Sequence, residues 1–310
     1  MYLGACTKGA TAEKSTVPQF YGENIPARKR AFCFKNSYMT YVLNHYIAGK
    51  TSDNSILKSG DALKVKSFEE ILEDIVAKYV GKSDMELCEQ FGREYNKNKA
   101  QWNDLACKIL GIRDENADEF EKANIKVKTI RIEENNFMRE SMSFPPFRFM
   151  DLVQEEYDDS TLHDYFDETR LFFFVWKKDG NVYRVQGCQL WNMSHYDLEV
   201  VVQKEWEQYK HIIQYGVEFT KCIDKSGKVS FKNNLPNKSE TKIIHVRPHA
   251  IKAAYRFNNG EEYGNVDRDA NILPNGEYMT TQSFWINNSY ILEQLRCLKK
   301  NKLVDQNKRT

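Results

Sequence analysis

Apolar residues recur at helical spacing over residues 67–91, where two capping patterns mark two helices. Ser67 with Glu70 opens the first helix, because a serine and a glutamate three residues apart cap each other's backbone N–H groups. Its apolar face contains Ile71, Leu72, Ile75, Val76 and Tyr79. Ser83 with Glu86 opens the second helix in the same way. The pattern predicts a two-helix unit.

Four further helices are predicted from the same apolar period. They span residues 28–48, 102–110, 198–215 and 289–298. The first of them would carry Arg28, Lys29 and Arg30 at its N-terminal end. The helix dipole favours acidic residues at that end, so we expect these three cations to hold an anion.

Strand patterns concentrate after residue 110. Residues 125–132 nearly alternate apolar and polar side chains, which predicts a half-buried strand. Leu171–Trp176 is an unbroken apolar run typical of a central strand, and residues 182–190 follow it across a turn. Shorter strands are predicted at 229–232 and 242–247. Together these segments suggest a mixed sheet.

This order of elements predicts an α+β fold, because helices come first and strands mostly follow rather than alternating with them. No internal repeat and no long linker rich in proline or glycine interrupts the chain. We therefore expect a single domain over residues 1–310, with a mostly helical lobe at 1–110 and a sheet-containing lobe at 111–310.

Composition limits the class of protein. The 310 residues include 45 Lys and Arg against 44 Asp and Glu, and 41% are hydrophobic, which is enough for a sizeable core. No apolar run approaches the roughly 20 residues of a membrane helix, so we expect no membrane partner. Seven cysteines without a C-x-x-C pair predict reduced thiols in a cytoplasmic protein and no zinc ribbon.

Charge is uneven along the chain although the net charge is only +1. Residues 1–50 are basic, and so is the stretch from Lys299 to Arg309. Solvated loops and helix ends explain most such runs, but both ends are also candidates to face phosphate.

Common catalytic signatures are missing: the sequence has no G-x-G-x-x-G, P-loop, G-x-S-x-G or H-E-x-x-H pattern. His245 and His249 have the spacing of a helical metal pair, but Pro248 between them argues against a helix and hence against metal binding. What remains is a proline-stiffened segment that presents Arg247 and two imidazoles. Arginine makes a two-pronged contact to guanine, so this segment is a candidate to contact base edges or phosphates.

Two of these segments resemble the MutH family of mismatch-repair nicking endonucleases. Residues 244–250 (IHVRPHA) resemble the family's I-R-P-K-A loop, and residues 273–284 (LPNGEYMTTQSF) resemble its L-P-x-G-x-Y segment. In that family both surround the bound GATC site. Leu190-Trp191-Asn192 and Glu205-Trp206-Glu207 are similar to two further family elements.

A more extensive resemblance covers nearly the whole chain. It is to the C-terminal half of GATC-cutting type II restriction endonucleases of bacteria, which are similar to two tandem MutH-like domains. The matching motifs occur in the same order: YL at 2–3, CTKGA at 6–10, RAF at 30–32, YMT at 38–40, ESMSF at 140–144, HVRPH at 245–249 and QSFWINN at 282–288. The resemblance implies a restriction-endonuclease-like fold, a mixed sheet flanked by helices. It also implies that this half binds a second GATC as an allosteric effector, beside an N-terminal domain that cuts.

The nuclease pattern of that family is D-(x)n-E-x-K, in which two carboxylates hold Mg²⁺. By this resemblance Lys128 matches the family lysine, Lys126 stands where the metal-binding glutamate is expected, and Glu119 falls at the aspartate. The family's supporting glutamate falls near Cys107. Exchanging a carboxylate for an ammonium removes a ligand and adds two units of positive charge. We therefore expect no metal and no cofactor in this chain, and Mg²⁺ only in a full-length nuclease.

Three functions stay open. The favoured hypothesis is a catalytically degenerate module that binds GATC-containing duplex DNA and partners the N-terminal catalytic domain of the same enzyme. The alternative is an active Mg²⁺-dependent GATC endonuclease that uses rearranged carboxylates, for which Asp118, Glu119, Glu121, Glu133 and Glu134 are candidates. A dimerisation domain without DNA contact is the third.

Residues of two kinds would carry the favoured function. Arg247, Pro248 and His249 would approach the groove edges, and Tyr278 would pack beside the bases. Phosphate contacts are expected from cations that position DNA without specifying its sequence. They are Lys8, Arg28, Lys29, Arg30, Lys126 and Lys128.

Overall fold

The computed structural model describes residues 3–9, 15–18, 26–50, 54–96, 98, 100–138 and 141–295. It divides into two compact units. The first contains the described residues up to Asn136 together with Tyr165–Asn192, and the second contains Phe137–Asp164 and Met193–Leu295. The boundary near residue 110 predicted from sequence does not coincide with this division. Whether both units form a single domain stays a prediction.

The described chain contains short strands and helices, with several strands or several helices often following one another. The strands are β1 Leu3–Thr7, β2 Thr16–Val17, β3 Ala27–Arg28, β4 Arg30–Phe34, β5 Ile125–Ile132, β6 Met142–Phe147, β7 Arg170–Asp179, β8 Val182–Trp191, β9 Phe219–Ile223, β10 Val229–Asn233, β11 Ile244–Pro248, β12 Tyr255–Arg256, β13 Glu262–Tyr263, β14 Ala270–Ile272, β15 Tyr278–Thr280 and β16 Gln282–Ile286. The α-helices are α1 Asn36–Val42, α2 Phe68–Ala77, α3 Asp84–Gln90, α4 Gln101–Leu110, α5 Asp118–Ala123, α6 Phe149–Leu152, α7 Thr161–Glu168, α8 Gln203–Tyr215, α9 Val266–Asp269 and α10 Asn288–Gln294. Two π-helical segments, Leu43–Ile47 and Asp197–Val202, continue α1 and precede α8.

A mixed three-stranded sheet organises the first unit, which confirms the predicted α+β class. Its order is β5-β7-β8; β5 runs parallel to β7, and β8 is antiparallel to it. The apolar run Leu171–Trp176 lies in the central strand and is buried throughout. Such a strand contacts protein on both faces, which explains its lack of alternation.

Helices α2 and α4 cover one face of this sheet. Leu72 and Val76 of α2 pack with Leu105 and Ile109 of α4 in one buried cluster that includes Val127 of β5. Both predicted capping boxes are present, so α2 and α3 begin where the sequence predicts.

The helix predicted over residues 28–48 is wrong in its first part. Residues 30–34 form strand β4, which pairs antiparallel with β1 in the register Thr7↔Arg30 to Leu3↔Phe34. The helix begins only at Asn36. Pairing with a distant strand overrode the local helical spacing, which sequence periodicity does not detect. The three cations therefore do not lie at a helix N-terminus, and the expectation that a helix dipole makes them hold an anion is wrong.

The expectation of reduced thiols is also wrong for two of the seven cysteines. Cys6 and Cys33 form a disulfide between β1 and β4. The register places them diagonally on one face of the paired strands. Cys88, Cys107, Cys188 and Cys222 are free.

Three antiparallel sheets and helix α8 organise the described part of the second unit. The first sheet has the order β11-β16-β6, the second has the order β13-β12-β15-β14, and the third is the pair β9-β10. Phe284 of β16 contacts Tyr209 of α8 and Phe147 of β6, with ring centroids 5.8 and 4.9 Å apart. Phe284 and its neighbours thus form the apolar face of the first sheet, packed on α8.

None of the helices in the described ranges is long and apolar enough to cross a membrane. The cytoplasmic location stays a prediction.

Candidate nucleic-acid interface

The face of the β11-β16-β6 sheet opposite Phe284 carries the residues singled out in the sequence. In the antiparallel register His245 lies opposite Trp285, and Arg247 lies opposite Ser283. Side chains two residues apart on a strand share a face. These four side chains therefore lie on one face of the sheet, and we call them the β11–β16 face.

Arg247 extends over the indole of Trp285, with the guanidinium carbon 5.0 Å from the ring centroid. Arg247 and Pro248 are both exposed. A guanidinium stacked on an indole is attracted to the ring and loses rotamer freedom, while its edge N–H groups stay available. The stack therefore leaves Arg247 oriented for a two-pronged contact to a planar acceptor.

His249 is held just beyond the end of β11. Its backbone N–H donates to the carbonyl oxygen of Thr281 at 2.8 Å, and its Nδ1 lies 2.9 Å from the hydroxyl of Ser283. The imidazole is exposed, so His249 and Arg247 are presented side by side at one end of the sheet. The segment therefore presents Arg247 and one imidazole instead of the expected two, because His245 is buried. The role of Arg247 and His249 in binding stays a prediction.

His245 lies deep on the same face and cannot contact a ligand directly. It is 1% exposed, and its Nδ1 lies 2.6 Å from the side-chain oxygen of Asn287. Burial lowers its pKa to about 4, opposed by the hydrogen bond with Asn287 and reinforced by the charges of Arg247 and Lys238. With this pKa the imidazole of His245 is neutral at pH 7, and its hydrogen-bond partner is Asn287.

Lys238 adds a second cation near Arg247. Its ammonium group donates to the side-chain oxygen of Asn288, and partial burial together with the charge of Arg247 lowers its pKa. Sequence analysis missed Lys238 and Trp285. Trp285 lies within the matched segment QSFWINN, which was the only signal for it, and nothing in the sequence brings residue 238 to this face.

Helix α8 positions β11 through a buried carboxylate. Glu205 accepts hydrogen bonds from the backbone N–H groups of Ile243 at 3.2 Å and Ile244 at 2.8 Å. The Glu-Trp-Glu element of the sequence therefore has a structural role at the start of the strand that carries Arg247.

Tyr278 lies in the second sheet of the same unit, where β15 pairs with β12 and β14. Its ring is covered by Arg256, whose guanidinium carbon is 5.0 Å from the centroid. The structure does not place Tyr278 in the sheet of Arg247. Its expected packing beside bases stays a prediction.

The positions that match the nuclease pattern lie in the first unit. Lys126 and Lys128 project from the same face of β5, two residues apart; Lys126 is exposed and Lys128 is partly buried. On the opposite face of the strand Ile125 and Val127 join the buried cluster with α4. The two lysines thus form a cationic pair where the resemblance calls for a carboxylate and a lysine.

Glu119 has a structural role. Its carboxylate accepts hydrogen bonds from the Ser55 hydroxyl at 2.6 Å and from the N–H groups of Leu57 at 2.9 Å and Ile56 at 3.1 Å. Partial burial alone would raise its pKa, but these donors outweigh burial and the pKa is lowered. Glu119 anchors the segment 55–57 to α5.

Cys107 packs in the core instead of lining a site. It is 4% exposed within the cluster around α4, and burial raises the pKa of its thiol to about 12, helped by the nearby charges of Glu115, Asp104 and Asp114. The positions that match the nuclease pattern therefore hold a buried thiol, two lysine side chains and a carboxylate whose oxygens already accept hydrogen bonds. This set does not fit Mg²⁺, which requires several oxygen ligands.

Three of the carboxylates that could form a rearranged site have partners of their own. Glu133 accepts from the Tyr183 hydroxyl at 3.0 Å, Glu134 accepts from a backbone N–H at 2.9 Å, and Glu121 lies 3.8 Å from an imidazole nitrogen. Asp118 has one buried oxygen without a donor, which does not by itself make a magnesium site. Among the described residues no group of three metal-binding side chains occurs.

The N-terminal cations gather at one end of the β1–β4 pair. The N–H of Lys8 donates to the carbonyl oxygen of Lys29 at 2.8 Å, and the Arg30 guanidinium donates to the carbonyl oxygen of Ala5 at 3.0 Å. All three cations are exposed. The side chain of Arg28 and the basic stretch from Lys299 to Arg309 lie outside the described residues.

Comparison with known proteins shows that this chain is similar in sequence to a restriction enzyme. It is 35% identical, over 320 aligned positions, to the type II restriction enzyme Sau3AI of Staphylococcus aureus. The alignment covers 96% of this chain and 65% of the relative, so the chain spans about two thirds of that protein's length. No protein-family profile matches the chain. Identity at this level along nearly the whole chain makes the two proteins homologues.

Proposed function

We propose that this chain binds duplex DNA containing GATC and does not cut it. The observation that carries the proposal is the exposed Arg247 guanidinium, held over the partly buried ring of Trp285. Arginine in this setting can donate two parallel hydrogen bonds to O6 and N7 of guanine. His249 beside it supplies a second polar contact, and Lys238 supplies positive charge toward a phosphate.

The chemistry at β5 supports binding without cleavage. Lys126 presents an exposed ammonium group where the resemblance calls for a carboxylate, which attracts a phosphate and repels a divalent cation. Cys107 and Glu119 supply no free carboxylate to offset that charge. An active nuclease built from other carboxylates is disfavoured, because three of the five candidates are engaged by their own partners and Glu119 anchors the segment 55–57.

The homology to Sau3AI supports a role within a restriction enzyme. Because the chain covers only 65% of that relative, the remainder of such an enzyme would supply the catalytic domain and its Mg²⁺. In this proposal the chain is the effector module: GATC bound on the β11–β16 face favours the active state of the catalytic partner. A restriction-endonuclease-like fold for the first unit belongs to the same proposal.

The test is a titration of the purified chain with two duplexes that differ only in a GATC or a scrambled tetramer, at 50 and 200 mM salt without divalent cation. We expect tighter binding of the GATC duplex, and a steep loss of affinity for both duplexes with salt, because phosphate contacts release counterions. Equal affinity for the two duplexes would contradict the proposal that the chain recognises GATC. An affinity that does not change with salt would contradict the predicted contacts between the lysines and arginines and the phosphates.

A further inference from the structure

The β1–β4 pair exposes an apolar face in the first unit. Phe32 is 87% exposed, Phe34 is 56% exposed, and Leu3 opposite Phe34 is 45% exposed. Strand alternation places these three side chains on one face, with Ala5 opposite Phe32. The ring of Phe34 contacts Tyr38 of α1, with 5.4 Å between the ring centroids. Phe32 is therefore the most exposed apolar side chain of this face.

Positive charge lies at the end of the same pair of strands. Arg30 shares the face of Phe32, and its guanidinium donates a hydrogen bond to the carbonyl oxygen of Ala5, the residue paired with Phe32. Lys8 and Lys29 meet at the adjoining end. The described residues of this pair, 3–9 and 26–35, include no Asp or Glu.

The opposite face of the pair carries the Cys6–Cys33 disulfide. A covalent link across two strands keeps them in register, since two-stranded sheets by themselves are marginally stable. The apolar face and the cations are thereby held as one surface, which we call the β1–β4 ribbon.

We propose that the β1–β4 ribbon is a second DNA contact, in which Phe32 enters between base pairs while Lys8, Lys29 and Arg30 hold the flanking phosphates. Apolar wedges of this kind unstack a base step in the minor groove, and adjacent cations offset the cost by binding the backbone. The proposal rests on the proposed function, because it assumes that the chain binds duplex DNA.

Charge favours DNA over a protein as the occupant of the ribbon. Three exposed cations beside an aromatic ring match a polyanion with stackable bases. An exposed apolar face alone would equally suit a second copy of the chain, so self-association is the competing outcome of the test.

The experiment measures base unstacking directly. A series of GATC duplexes carries 2-aminopurine at one position each across the site and its flanks, and fluorescence is followed as the purified chain is added. We expect a several-fold rise in fluorescence at one step, and we expect Phe32→Ser to lose most of that rise and several-fold in affinity. The preference of Phe32→Ser for GATC over the scrambled duplex should equal that of the unaltered chain.

Val65→Ser is the matched control, because Val65 is 85% exposed in the same unit and lies off the ribbon. It should keep both the fluorescence rise and the affinity, and circular dichroism should show all variants folded. Specific binding without any rise in fluorescence would overturn the wedge and leave the proposed function standing. If sedimentation showed that the chain is a dimer and that Phe32→Ser dissociates it, the proposed DNA contact would be overturned in favour of self-association through the ribbon. Failure to bind any duplex would overturn both proposals.

Discussion

Individual side chains decide whether this chain contacts bases, and Arg247 is the sharpest case. It lies exposed over Trp285, at the end of a strand positioned by Glu205 of α8. A residue that contacts a base affects specific complexes, whereas a residue that contacts phosphate affects all sequences alike. The two kinds of role are therefore separable by mutation.

Arg247→Ala should cost about 1 to 3 kcal/mol of binding to the GATC duplex and leave binding to the scrambled duplex nearly unchanged. Lys29→Ala is the control: it should weaken both duplexes equally and lower the salt slope by about one. Anisotropy titrations of both variants on both duplexes give the comparison. If Arg247→Ala weakened both duplexes equally, the β11–β16 face would not contact bases.

His245 should make stability depend on pH. Its folded-state pKa of about 4 lies below the ordinary value near 6.5, so the unfolded chain binds the proton first. Stability should be full above pH 6.5 and fall by up to about 3 kcal/mol as pH drops to 4. Urea denaturation across this range should show the slope flattened in His245→Gln. His195→Gln, at an 89% exposed imidazole, should keep the slope, and an unchanged slope in His245→Gln would contradict the assignment.

At the scale of elements, the α5–β5 region shows how a nuclease-like pattern is reused for structure. Helix α5 carries Glu119, which anchors segment 55–57, and β5 carries Lys126 and Lys128 on one face. A carboxylate that accepts three hydrogen bonds within the fold contributes to stability, not to metal binding.

Glu119→Ala should lower the free energy of unfolding by about 1 to 3 kcal/mol at pH 7, because three donors lose a charged acceptor. The lowered pKa means that this contribution is present above the ordinary value near 4.3 and is lost as pH falls through the folded-state value. Urea denaturation at a series of pH values from 7 downward should show the gap to the unaltered chain narrowing once the pH falls below the ordinary value. Glu115→Ala, at an exposed neighbour, should show no gap; a gap for Glu119→Ala that stays constant or widens as the pH falls would contradict this role.

At the scale of the whole molecule, cleavage would need carboxylates from three elements at once. The matched positions lie on α4, α5 and β5, and they hold Cys107, Glu119 and Lys126. A carboxylate introduced at position 126 would still lie with a buried thiol at Cys107 and a Glu119 carboxylate that is hydrogen-bonded within the fold. A single substitution therefore cannot rebuild the site.

Lys126→Glu should therefore produce no nicking of GATC duplexes in Mg²⁺ or Mn²⁺, and it should weaken DNA binding more than Lys126→Gln because it adds a negative charge. A nicking gel and a parallel titration measure both effects. At matched ionic strength Mg²⁺ should not strengthen DNA binding by the unaltered chain relative to EDTA, because the chain has no metal site that DNA would complete. Nicks that disappear in Glu119→Ala would instead establish the alternative nuclease.

The sequence by itself determined the elements whose signals are local. The capping boxes at Ser67 and Ser83, the alternation in β5 and the apolar run of β7 depend on residues within one or two turns or strands, so they were predicted with their bounds nearly correct. The HVRPH motif likewise indicated the grouping of Arg247 and His249, because five consecutive residues stay neighbours in any fold.

Tertiary structure alone decided what depends on distant pairing. It replaced the start of the helix at 28–48 by a strand, because β1 supplied hydrogen-bond partners that local spacing does not contain. The same pairing joined Cys6 to Cys33, and chain folding brought Lys238 toward Arg247. It also buried Cys107 and engaged Glu119 with residues 55–57, far earlier in the chain. Contacts between residues distant in sequence leave no periodic signal, so only the folded chain reveals them.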